Sequence, residues 1–127
     1  MNIPEGYRFS ADHEWVKVED GNTALIGISD YAQGELGDVV YVDIDSDLEE
    51  ITAHETFGSI EAVKTVSDLY APVSGKVIEV NERLEDEPEL VNSDPYGEGW
   101  LVKIELTDPS QVDSLLTGED YKKQIGG

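Results

Sequence analysis

The sequence predicts a mainly β fold: a flattened antiparallel β-sandwich or barrel with short peripheral helices and one C-terminal helix. Three observations carry that prediction. Short runs of β-branched and apolar residues recur along the chain, several alternating with polar ones as a half-buried strand requires. Clusters of glycine, proline, asparagine and aspartate separate the runs at close intervals, the pattern of strands joined by turns. A helix start and a helical apolar stripe coincide only near Asp108. With 127 residues and no linker, internal repeat or low-complexity segment, residues 1–127 are expected to form a single domain.

Residues 7–9 are expected as a short edge strand. Residues 15–19 alternate and read as a strand, Asp20-Gly21-Asn22 as a tight turn, and residues 23–28 as the returning strand. Ser29 or Asp30 can cap a short helical turn through Leu36, which Gly34 and Gly37 keep short. Residues 39–44 are apolar and β-branched, the composition of a buried strand. Residues 45–50 form an acidic connection. Residues 56–63 and 66–70 are the arms of a β-hairpin with Lys64 at or next to its tip, and Pro72 to Gly75 ends the pattern. Residues 75–81 alternate again, residues 84–90 can hold one helical turn, and residues 92–99 are a turn-rich loop before a last strand at 100–106. The C-terminal helix is expected over about 109–117. Asp108 is its cap, Pro109 its first residue, and Gln111 reaches back to the cap amide. Val112, Leu115 and Leu116 form its apolar stripe. A further helical turn can follow at 119–125.

Acidic residues outnumber basic ones 29 to 8, for a net charge of −21. Such a surface repels nucleic acid and anionic lipid, so neither is expected as a partner, whereas partners with basic docking surfaces suit it. Solubility, or a salty cytoplasm, accounts for the charge as well. The chain has no cysteine, which excludes a disulfide scaffold, a cysteine nucleophile and thiolate metal sites. Thiol chemistry would have to come from something attached. No apolar run is long enough to span a membrane and no signal segment opens the chain. A cytoplasmic location is the default, organellar if a transit segment has been removed.

No self-sufficient active site assembles from these residues. His13 and His54 are the only histidines, far apart in sequence and without the ligand spacing of a zinc site. No serine lies in a Gly-x-Ser-x-Gly context, and Gly34-Glu35-Leu36-Gly37 lacks the spacing and basic residue of a phosphate loop. Asp45, Asp47, Glu49 and Glu50 read as a solvated acidic loop. Chemistry therefore has to ride on a cofactor. Lys64 is the residue suited to carry one. It is the only Lys or Arg between Lys17 and Lys76, and it sits where two strands fix its place while leaving it reachable. Its amine forms an amide with a carboxylic-acid cofactor, and its long stem extends the reach of a carried group. The plainer alternative is an ordinary solvated turn lysine.

Glu61-Ala62-Val63-Lys64-Thr65-Val66-Ser67-Asp68-Leu69-Tyr70-Ala71-Pro72-Val73-Ser74-Gly75 resembles the lipoylation segment of the glycine cleavage system H protein family. The resemblance extends to His13-Glu14-Trp15-Val16, Ile26-Gly27-Ile28 with Ala32-Gln33, and Leu36-Gly37-Asp38-Val39-Val40-Tyr41-Val42. It continues through Val80-Asn81, Pro88-Glu89-Leu90-Val91-Asn92, Pro95-Tyr96 with Gly99-Trp100, and Ser114-Leu115-Leu116 with Tyr121. Nearly the whole chain is covered, with few gaps.

The resemblance implies a fold of the lipoyl/biotinyl-carrier type, with lipoate in amide linkage on Lys64. It implies a monomeric carrier subunit that is not itself an enzyme, with no catalytic or metal-binding residues. The lipoyl disulfide would accept an aminomethyl group from glycine at a pyridoxal-phosphate-dependent glycine decarboxylase (P protein). An aminomethyltransferase (T protein) would pass it to tetrahydrofolate, and dihydrolipoyl dehydrogenase (L protein) would reoxidise the arm. A lipoate ligase or lipoyltransferase would attach the cofactor. In the family the loaded arm folds back into a cleft. There Glu14 would hold the ammonium and Asp68 would assist; the part of Asp12 is open, and Glu14 and Asp68 can alternatively be turn caps. Three other readings share the hairpin lysine. A biotin carrier places methionines on both sides of it, where this chain has Val63 and Thr65 and its only methionine is Met1. An H-like relative can carry or relay lipoate for other enzymes. A plain interaction domain would carry no modification.

Overall fold

The computed structural model describes residues 6–19, 21–45 and 47–125. The chain opens with Arg8–Phe9 (β1), Glu14–Val18 (β2) and Thr23–Ile28 (β3), paired antiparallel with Trp15 opposite Gly27. A Cβ at Gly27 would stand 2.6 Å from the Trp15 ring, so glycine lets the indole lie across β3. Ser29 caps the helix Asp30–Leu36 (α1), its hydroxyl accepting the Ala32 N–H. Val39–Asp43 (β4), Glu50–Ile51 (β5), Thr56–Ala62 (β6), Val66–Tyr70 (β7) and Gly75–Val80 (β8) follow. The chain continues through Arg83–Asp86 (α2), Leu90–Ser93 (α3), Val102–Leu106 (β9), Ser110–Asp113 (α4), Leu116–Thr117 (β10) and Gly118–Gln124 (α5).

The strands form two sheets, one of order β10-β1-β2-β3-β9-β8-β5 and one of order β4-β6-β7, with antiparallel pairing throughout. Val16, Ile26 and Ile104 from the larger sheet pack with Val42, Ile60 and Leu69 from the smaller in one core. A second cluster joins Phe9, Trp15 and Tyr121, with Phe9 and Tyr121 stacked at 4.4 Å between ring centroids. This is the flattened antiparallel sandwich with short helices that the alternation predicts. Among the described residues no helix is long and apolar enough to cross a membrane.

The C-terminal segment departs from the expectation of one helix over about 109–117. Its first helix, α4, ends at Asp113, and Leu116 and Thr117 pair with Phe9 and Arg8 as β10. The open edge of β1 offers the backbone ladder partners, and Arg8 Nη1 adds a bond to the Leu115 carbonyl at 3.2 Å. For the same reason residues 7–9 do not form an edge strand: β10 covers β1. Thr117 does not end a helix but starts one, its hydroxyl accepting the Asp120 N–H at the head of α5. Gln111 does not reach back to the cap amide; its side-chain oxygen accepts the Ser74 N–H at 2.7 Å. Nor is residue span 39–44 wholly buried. A bulge between Val39 and Tyr41 turns Val40 and Tyr41 to solvent and leaves Val39 and Val42 inside. The acidic connection ends in β5, where Glu50 sits opposite Lys76. A helical turn, α3, occupies the start of the turn-rich loop. Asp20 of the expected 20–22 turn lies outside the described residues, while Gly21 takes φ 59°.

Candidate functional site

β6 and β7 pair from Thr56 opposite Tyr70 to Glu61 opposite Val66, and the Ala62 N–H donates to the Thr65 carbonyl at 2.9 Å. Val63 and Lys64 form the tip of this finger, both exposed. The ion pairs among the described residues are those of Arg83 with Glu87 and Glu98, so the Lys64 ammonium is engaged in none. What holds Lys64 is its stem and its backbone. The stem lies over Gly37, where an added Cβ would approach Lys64 Cγ to 3.2 Å and where φ is 80°. Glycine suits the left-handed backbone there, and a side chain would also push the Lys64 stem aside. The Val63 N–H donates to the Asp38 carbonyl at 2.9 Å. Asn92 fixes the same connection. Its amide donates to the Gly37 carbonyl at 2.9 Å and to Gln33 Oε1 at 3.0 Å, and its oxygen accepts the Val39 N–H at 2.8 Å.

Beside the finger, between α1 and the inner faces of β6 and β7, lies a cavity of 310 Å³. Its walls include Glu14, His13, Tyr31, Leu36, Ile60 and Leu69. Leu36, in that wall, is the residue before Gly37, over which the Lys64 stem rests. Glu14 is only 2% exposed. Its Oε2 accepts the Tyr70 N–H at 2.9 Å, a bond from the larger sheet to the end of β7. Its Oε1 is buried and has no hydrogen-bond partner among the described residues. Burial pushes the carboxyl up to about 9, helped by the Asp12 charge and opposed by the Tyr70 N–H and the nearby Ser10 hydroxyl. The group is therefore neutral at physiological pH, with no close hydrogen bond to Oε1 among the described residues.

Lys64 thus stands on the tip of the finger, and Glu14, on β2 of the larger sheet, reaches the base of the same finger through its bond to Tyr70. Asp68 also borders the cavity, but differently. It is exposed and sits in register with Ser59 and Asp43, one residue out of phase with the inward pair Ile60 and Ser67. No hydrogen bond joins it to Glu14 among the described residues. Asp12 and Glu35 border the cavity as well. His13, set aside in the sequence as an unpromising metal ligand, lines the cavity with φ 68°. Its Nδ1 lies 2.9 Å from the Tyr121 hydroxyl. Burial holds its pKa below the usual histidine value. Its adjacency to Glu14 was the only sequence signal for it. His54 lies elsewhere, bonded through its N–H to the Ala71 carbonyl at 2.8 Å.

A small sandwich that displays one lysine on a hairpin tip, beside a cavity, has the architecture of a carrier domain of the lipoyl/biotinyl type. Residues 7–126 match the family described as Glycine cleavage H-protein. A glycine cleavage system H protein of Staphylococcus haemolyticus is 59% identical over 126 residues, which are 99% of either chain. A glycine cleavage system H protein from Mycobacterium marinum, known from its crystal structure, superposes with a TM-score of 0.89 at 40% identity, covering 98% of this chain and 100% of that one. The chain belongs to the glycine cleavage H-protein family.

Proposed function

We propose that this protein is the lipoyl-carrying shuttle of the glycine cleavage system, a single-domain carrier subunit and not an enzyme, with lipoate in amide linkage on Lys64. Family membership supports the system. The observation that carries the reading is the pairing of an unengaged amine on the finger tip with a ready-made cavity whose buried Glu14 has an unsatisfied oxygen. The residues fit the group: a free amine for the amide, apolar walls for a hydrocarbon arm, and a carboxyl for a cationic cargo. When bound, lipoate supplies a disulfide that takes up the aminomethyl group of glycine at glycine decarboxylase, yields it at a tetrahydrofolate-dependent aminomethyltransferase and is reoxidised by dihydrolipoyl dehydrogenase.

The chain's own residues bind, orient and exclude water. The β6–β7 finger presents Lys64 Nζ to a lipoate ligase or lipoyltransferase, and Gly37 and Asn92 keep the tip in place. Leu36, Ile60 and Leu69 give the cavity an apolar side, alongside its acidic residues. An ammonium placed against Glu14 Oε1 supplies the charge that burial withheld. The carboxyl then releases its proton to solvent and holds the cation by a charge-assisted hydrogen bond. Asp68, on the exposed rim, draws the cation in but is screened by water. The cytoplasm is the compartment in this reading. Glycine-dependent exchange of labelled bicarbonate, catalysed by the partner decarboxylase, tests it. Exchange that requires the lipoylated form of this chain is expected; equal exchange with the unlipoylated form would overturn the proposal.

A further inference from the structure

We infer that Tyr121, from the helix at the far end of the chain, is a positioning residue for the cavity: its hydroxyl pins the turn that carries Glu14 to the head of α1. These are two of the walls between which the arm would lie, so the inference rests on the proposed carrier role of that cavity.

Tyr121 is fully buried, and its ring is stacked on Phe9 with an interplanar angle of 5°. The ring alone accounts for the packing. The hydroxyl has a separate task, because it lies 2.9 Å from His13 Nδ1 and 2.6 Å from Ser29 Oγ. Each partner leads to one wall. Ser29 caps α1 through the Ala32 N–H at 3.1 Å, and Tyr31, Ala32, Glu35 and Leu36 of that helix line the cavity. His13 precedes Glu14 in a turn knotted by Ser10, whose hydroxyl accepts both the Asp12 and Glu14 N–H groups. The Ser29 N–H also donates to the His13 carbonyl at 2.9 Å, so the walls meet at a second bond.

The hydrogens can be placed consistently. In one consistent arrangement the Ser29 hydroxyl donates to the Tyr121 oxygen and the phenol donates to His13 Nδ1. In that arrangement the imidazole is neutral and protonated on Nε2. His13 is held in the left-handed region, at φ 68°, a conformation unfavourable for a non-glycine residue. Tyr96 provides an internal control. Its hydroxyl also serves the head of α1, accepting the Asp30 N–H at 3.0 Å, but through a different residue.

The test compares Tyr121→Phe, His13→Asn, Tyr96→Phe and Glu14→Gln in the full chain. Asparagine tolerates the left-handed backbone, so His13→Asn keeps the turn while removing the imidazole. In the unlipoylated protein, amide exchange at Ser29 and Ala32 is expected to rise about tenfold in both Tyr121→Phe and His13→Asn. In the lipoylated, loaded protein, both should release ammonia about fivefold faster, the loss expected for one buried hydrogen bond. Tyr96→Phe should leave that rate within about twofold. Unchanged exchange at Ser29 and Ala32 in both variants would overturn the pin. So would unchanged release in both while Glu14→Gln still accelerates it. If Glu14→Gln too leaves release unchanged, the carrier role of the cavity falls, and this inference with it.

Discussion

The tip of the finger and the wall of the cavity treat charge in opposite ways. Lys64 stands in water, outside any ion pair among the described residues, held by its stem over Gly37 and by backbone bonds on either side. Glu14 is taken out of water, kept neutral, and given one close hydrogen bond, to Oε2, with none to Oε1 among the described residues. Attachment and storage need these opposite environments. An amine must be reachable to be acylated, and a paired charge within the protein would hold it back. A carboxyl that is to grip a cation must be poorly hydrated beforehand, because water would otherwise compete for it. The two demands are met by separate elements: the tip of the β6–β7 finger carries the amine, and β2 of the larger sheet carries the carboxyl.

Breaking the tip should have the largest effect. Lys64→Arg keeps the charge but removes the amine that can form an amide, so glycine-dependent bicarbonate exchange should fall more than about a hundredfold while the fold persists. Next is the wall. Glu14→Gln should leave lipoylation unchanged and speed ammonia release from the loaded protein about ten- to a hundredfold, the range for a lost charged hydrogen bond. Release at the wild-type rate would show that the cavity does not hold the cargo.

The same residue sharpens the contrast through pH. A carboxyl raised to about 9 in the folded state binds its proton more tightly there than in the unfolded chain, where it titrates near 4.5. Its contribution to stability is therefore complete below pH 4.5 and fades as pH rises toward 9. Urea unfolding of wild type and Glu14→Gln across that window should diverge by several kcal/mol, on the order of 6 for the full shift, the variant losing less. Parallel pH profiles would mean that Glu14 titrates normally in the fold. The smallest effect belongs to Asp68, exposed at the rim: Asp68→Asn should change ammonia release by less than about threefold. A change as large as that of Glu14→Gln would erase the distinction between rim and wall.

Local patterns in the sequence reach some of these features and not others. Alternation and flanking turn residues place β3 at 23–28 without error, and the strand–turn–strand pattern puts Lys64 at a tip. Both depend on neighbours in sequence. Burial of Glu14 does not. It is the only buried Asp or Glu among the described residues, and no local pattern separates it from the many acids outside. Resemblance, not periodicity, singled it out. Leu116 and Thr117 misled for a related reason: a helical stripe and a sheet edge compete for the same leucines, and the open side of β1, over a hundred residues away, decides the outcome. The Tyr121 link to His13 spans 108 positions and leaves no periodic trace at either end.

The central claim is that the chain's lipoate is borne by the tip amine of the β6–β7 finger. Peptide mapping by mass spectrometry after co-expression with a lipoate ligase measures it directly. A single lipoyl group on Lys64, absent from Lys64→Arg, is the expected result; a group on any other lysine, or none on a folded wild-type chain beside an active ligase, would contradict it.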